Sequence, residues 1–305
     1  MSHKIHIIII FLILSIAFLL RFYKLGEIPA GFYQDESAIG YNAYSVMETG
    51  KDEHGQTFPL YFKSFGDYKL PVYIYLTALS IQMFGLNEFA VRFPSALFGF
   101  LTVIVFYFFV RKLTKNRPLS IISTAFLATS PWHLHYSRAT FEVSISLFLF
   151  VLGGLFLYKS FYNKNQFAFL VGTVSFIISF YSYKLTRLLA QALYLLFLVF
   201  NISQVKQVPK KEQLLTVFVS SILLIPFVAT LFQSGGIASA GGTLIFSSKA
   251  VQAPLLEFRS YFVEFQPLIV KLFLSLLPLT IWQYLQNVVS SFDSSFFFVS
   301  GSVHG

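Results

Sequence analysis

Residues 29–92 read PAGFYQDESAIGYNAYSVMETGKDEHGQTFPLYFKSFGDYKLPVYIYLTALSIQMFGLNEFAVR, the one long polar interval in a chain otherwise built of apolar runs. Together with Glu27 it carries eight of the thirteen acidic residues of the 305-residue sequence. An apolar run precedes it and another follows, which places it at a membrane surface. The whole chain is 56% hydrophobic and 11% charged, against roughly 25% charged residues in soluble domains. Its 39 Phe and 17 Tyr suit a lipid-facing surface with interfacial aromatic belts. The sequence therefore reads as an all-α polytopic membrane protein. Its net charge of +9 is scattered between apolar runs, a pattern that orients a membrane protein and meets anionic head groups. That distribution argues against nucleic acid as a partner. The absence of Cys removes disulfides, thiolate chemistry and cysteine-based zinc sites.

Working outward, the first apolar run covers residues 5–23, with no small-residue cleavage site after it, so it reads as an uncleaved span. Residues 24–92 form the outer loop and residues 93–231 a helical bundle. Within the bundle, apolar runs begin at Phe93, Leu119, Val143, Phe167, Leu188 and Leu214. The octet RKLTKNRP at 111–118 is the strongest positive-inside signal, and KSFYNKNQ and QVKQVPKKE follow the same rule. These fix the N-terminus as cytoplasmic and the 24–92 loop as extracytoplasmic, in a plasma membrane. Pro71–Gly85 reads as a helix lying on the outer surface, since counting it as a span reverses the octet. Residues 232–305 form a second outer segment in which Pro267–Asn287 is an eighth span or another surface helix. The expectation is about seven to eight transmembrane helices, with interfacial helices in a large first loop.

Candidate chemistry lies on the outer side. Residues 37–50 predict a short helix ending at Gly50, with Asp35 or Ser37 as its cap. Asp35 and Glu36 are the candidate catalytic acids, and a carboxylate at a wet surface can also take the proton of an attacking hydroxyl. Lys69, at the start of the surface helix, either reaches lipid head groups or meets a bound phosphate. A fixed cation stabilises charge that develops on a departing phosphate. Arg92, Arg138 and Arg187 lie at outer helix ends and are candidates for the same work. Glu142 either pairs with Arg138 one helical turn earlier or serves as a second acid that holds an acceptor or a divalent metal ion. His133 and His135 face apart on a helix, so belt residues are the plainer reading of the pair, with His135 the candidate beside Glu142. The glycines of Gly236-IASA-Gly241-Gly242-Thr243 lack the lysine of a phosphate-binding loop. No nucleotide-sugar motif appears, which favours a lipid-linked donor.

The stretches QDESAIGYNAYSVMETG, SFGDYKLPVYIYL, GLNEFAVRFPSALFG, SPWHLHYSRATFE and YSYKLTR together resemble the glycosyltransferase family 39 type of membrane enzymes. These include protein O-mannosyltransferases and lipid A aminoarabinose transferases, which share the C-type glycosyltransferase fold. The resemblance covers roughly residues 25–190 and implies transfer of a sugar from a polyprenyl-phosphate donor to an acceptor hydroxyl on protein, lipid or glycan. By resemblance Asp35 matches the catalytic acid, Lys69 the basic residue at the donor phosphate, and Glu142 the second acid. The family pattern places proline directly after that lysine, whereas Leu70 intervenes here before Pro71. It also implies further spans beyond the C-terminal stretch SSFDSSFFFVSGSVHG, so the chain reads as C-terminally incomplete. The rival reading is a transporter, flippase or noncatalytic binder of lipid-linked saccharides. Such carriers place ionisable groups near the bilayer midplane, whereas here the acids sit at its outer boundary.

Overall fold

A computed structural model describes residues 3–64, 67–163 and 166–231. The expected second outer segment, including Pro267–Asn287 and the glycine-rich decoy, lies outside the described residues. The first helix, α1 (His3–Phe22), is apolar along its length and leaves Ile5, Ile8, Phe11, Leu12 and Leu19 exposed. Such a surface has no place in water and belongs against lipid. α4 (Glu88–Thr114), α7 (Val143–Asn163) and α11 (Lys210–Leu231) are likewise long and apolar enough to cross a membrane. α5 (Arg117–Thr129), α8 (Gln166–Phe180) and α9 (Lys184–Phe200) occupy the other expected spans. They have 13, 15 and 17 residues, short against the roughly 20 that cross a bilayer upright. The chain is an all-α polytopic membrane protein.

The expected basic loops are largely absorbed into helix ends. α4 runs through Arg111 and Lys112, and α5 begins at Arg117, leaving Lys115 and Asn116 as the link. Cations in the last turn of α4 complement the negative end of its dipole, and Asn116 caps α5 by accepting from Leu119 N–H at 3.1 Å. A single turn, α10 (Ile202–Val205), joins α9 to α11.

The polar loop is a folded layer with a core of its own. α2 (Gln34–Thr49) ends where predicted, at Gly50 with φ +70°, a left-handed conformation that favours glycine. A Cβ there would also meet the Phe58 ring at 3.2 Å. Its N-cap is Tyr33, so neither Asp35 nor Ser37 caps it. Next comes an element the sequence reading omitted, an antiparallel hairpin of β1 (Phe62–Ser64) and β2 (Asp67–Lys69), with Phe62 opposite Lys69. α3 (Pro71–Phe84) follows, and its 14 residues span about 21 Å. Ile39, Ala43, Phe62, Tyr73, Ile74, Ala90, Val91 and Ile145 form one cluster that joins this layer to α4 and α7.

α4 starts at Glu88, earlier than expected, because Asn87 caps it by accepting from Ala90 N–H at 2.8 Å. Pro94, inside the helix, cannot donate to the Ala90 carbonyl. Ser80 Oγ on α3 donates to that carbonyl instead, at 2.7 Å. The gap left by a proline thus becomes a tie between the loop layer and the bundle.

Candidate active site

Four segments meet at the start of α2. Asp35 occupies the second position of α2, and Lys69 ends β2. Lys69 Nζ lies 3.0 Å from Asp35 Oδ2, with the lysine side chain 13% exposed and the carboxylate 39% exposed. The hairpin explains the reach: buried Phe62 anchors the strand pair, and its partner Lys69 is carried to α2. The next residue, Leu70, is fully buried, and its N–H donates to Glu142 Oε1 at 3.0 Å. A proline at that position would offer no N–H, so the departure at Leu70 gives this chain its link between Lys69 and Glu142. Tyr183, just beyond α8, completes this group. Its phenol is held above its usual range by burial and by the Glu142 carboxylate and Tyr136.

Beneath this group lies a buried ion pair. Arg92 is fully buried, and its Nε and Nη2 bind Glu36 Oε1 and Oε2, each at 3.0 Å. Its other N–H groups donate to the carbonyls of Leu25, Pro29 and Gly31. A guanidinium has five N–H donors, and all five are engaged. Glu36 also accepts from the N–H of Tyr33 and from both the N–H and Oγ1 of Thr140. Burial alone would raise the Glu36 pKa, but Arg92 and these N–H groups hold it below the usual carboxylate range. Two expectations meet this buried pair. Arg92 has no donor left for a phosphate, because the early start of α4 turns it inward from the second turn. The Glu36 carboxylate accepts five hydrogen bonds, from Arg92, Tyr33 and Thr140.

Arg138 and Glu142 do not pair. α6 (Pro131–Arg138) ends before Glu142 and α7 begins after it, so no helical turn links them. Arg138 donates instead to the carbonyls of Leu20, Tyr23 and Ile28. Three of its donors thus hold the chain leaving α1, which makes it chiefly a clamp.

Arg187, in the first turn of α9, is 9% exposed and lies over the rings of Tyr61, Phe180 and Phe227 at 5.4, 4.6 and 5.5 Å. Tyr61 immediately precedes β1, so this guanidinium stands beside the hairpin that carries Lys69. His135 is exposed and contacts the rings of Tyr136 and Phe141. His133 is buried, and its Nδ1 faces Arg21 Nη2 at 2.7 Å. Burial and the Arg21 charge push its pKa down to about 3. Among the described residues no three of His, Asp or Glu gather as a metal ligand set.

The sequence reading missed Thr140, Tyr183 and buried Arg21. Thr140 sits within the quoted SPWHLHYSRATFE motif, and Arg21 interrupts an apolar run, a signal for an intramembrane partner.

The family model for dolichyl-phosphate-mannose-protein mannosyltransferases matches residues 68–230, more than half of the chain. The chain belongs to this family. The matched part of this mannosyltransferase-family protein holds Lys69, Glu142 and Arg187 and begins after Asp35, which the fold brings to Lys69. An uncharacterized protein of Aquifex aeolicus (strain VF5) is 26% identical over 171 residues, 54% of this chain and 32% of the relative. The chain thus spans about a third of that relative's length.

Proposed function

We propose that this chain carries the catalytic face of a membrane glycosyltransferase that moves a sugar from a polyprenyl-phosphate donor to an acceptor hydroxyl outside the cytoplasm. The observation that carries the reading is the 3.0 Å approach of Lys69 to Asp35. A carboxylate and an ammonium from distant parts of the loop layer meet at a partly exposed edge, on a foundation locked by Glu36 and Arg92. Asp35 takes the proton from the acceptor hydroxyl as its oxygen attacks the anomeric carbon. The bond from that carbon to the phosphate oxygen breaks, and its electron pair leaves with the lipid phosphate. Lys69, exchanging its contact with Asp35 for the phosphate, stabilises the charge gained there, and Arg187 adds a second cation. Glu142 holds the Leu70 main chain and with it the aim of Lys69. Attack opposite the phosphate inverts the anomeric centre.

The test is transfer of radiolabelled sugar from a panel of polyprenyl-phosphate sugars by purified full chain in detergent. Asp35→Asn should lower transfer at least about a hundredfold, the usual scale for a lost general base, with the melting temperature preserved. Lys69→Met should raise the donor KM and lower kcat together. Transfer that survives Asp35→Asn, or bound donor that is never transferred by the wild type, would overturn the proposal, the latter in favour of a carrier.

A further inference from the structure

Tyr181 follows α8, and its hydroxyl enters α11 at the point where that helix contains Pro226. The hydroxyl donates to the Leu223 carbonyl at 2.6 Å and accepts from Phe227 N–H at 3.2 Å. In an uninterrupted helix those two main-chain groups bond directly to each other. Pro226 lacks an N–H, and its ring presses on the carbonyl four residues earlier. The Tyr181 phenol bridges the Leu223 and Phe227 groups at this turn, and a side chain inserted into the ladder is a recognised cause of a local helix kink.

The consequence reaches Arg187. The Phe227 ring packs edge-on against Phe180 at 4.6 Å, and both rings cover the Arg187 guanidinium. Arg187 Nε donates to the Phe180 carbonyl, while its buried Nη2 has no hydrogen-bond acceptor among the described residues. A buried cationic donor in an aromatic enclosure is poised for an anion. We propose that Tyr181 is a positioning residue: its hydroxyl bridges the Leu223–Phe227 rung beside Pro226, fixes Phe227 in the enclosure and so aims Arg187 at the anionic group of the donor. The last step rests on the donor-phosphate reading above; the rung itself does not.

The chain contains no Cys, so spin labels can be placed at Leu189 and Val228, which are 59% and 49% exposed. The full chain in nanodiscs should show one narrow distance distribution, which Tyr181→Phe broadens. Farnesyl phosphate should bind roughly fivefold to tenfold more weakly to that variant, the scale of one net hydrogen bond. Pro226→Ala lets the helix close its own ladder, so the double variant should regain both the narrow distribution and the affinity. A Tyr181→Phe protein identical to wild type, or a double variant no better than Tyr181→Phe, would overturn the rung. A broadened distance with unchanged affinity would overturn the link to Arg187. If the distances behave as expected while wild type fails to bind farnesyl phosphate, the rung stands and the donor reading falls.

Discussion

Asp35 and Glu36 are neighbours with opposite fates. One side chain leaves the first turn of α2 toward a partly exposed lysine. The other turns inward to a guanidinium that is completely engaged. An exposed ion pair contributes about 0–1 kcal/mol, whereas breaking a buried pair by removing one partner costs about 3–5 kcal/mol. Arg92→Met, which strands the Glu36 carboxylate, should therefore lower the melting temperature sharply. Asp35→Asn should hardly change it. Thermal unfolding of both variants in one detergent checks the contrast, and equal losses would mean that the two acids share one role. The acidic pair was legible in the sequence. The division of labour was not, since it depends on which way each side chain points after Asn87 sets the start of α4.

Among the elements, the hairpin and the α7–α8 contact show what pattern reading passes over. Three-residue strands carry little periodic signal, yet this pair delivers Lys69. The α7–α8 contact depends on glycines that the apolar pattern treats as filler. A Cβ on Gly153 would meet the Phe176 ring at 2.7 Å, and one on Gly172 would meet Leu157 main-chain nitrogen at 3.0 Å. Small residues let helix backbones approach closely where apolar burial alone gives no drive. Gly172→Ala should destabilise the protein by about 1–3 kcal/mol, the usual cost of overpacking. Gly154→Ala, whose Cβ would sit 3.4 Å from the Phe109 ring, should be tolerated. Melting curves of the two variants would show the difference, and similar curves would mean that α7 and α8 can separate without cost.

For the whole molecule, we propose an orientation from where charge is cheap. Arg111, Lys112, Lys115 and Arg117 cluster at one end of α4, and the acid-rich layer lies at its other end. We expect single cysteines replacing Lys115 and Lys206 to react only with reagents that reach the cytoplasm. One replacing Lys63, which is exposed on β1, should react from outside in intact cells. Labelling of all three from the same side would reverse or break the proposed topology.

The sequence by itself determined the membrane class, the helical runs, the acid-rich interval and a set of candidate residues. These are properties of composition and of short-range order, which apolar runs and charge placement express directly. Only the tertiary structure decided which of those residues meet. It joined Asp35 to Lys69, tied Glu142 to Leu70, buried Arg92 against Glu36 and inserted Tyr181 into α11. Each of these depends on where a helix begins or breaks and on a contact between distant segments. No local pattern encodes such a contact, because its energy is realised only after the layers have packed.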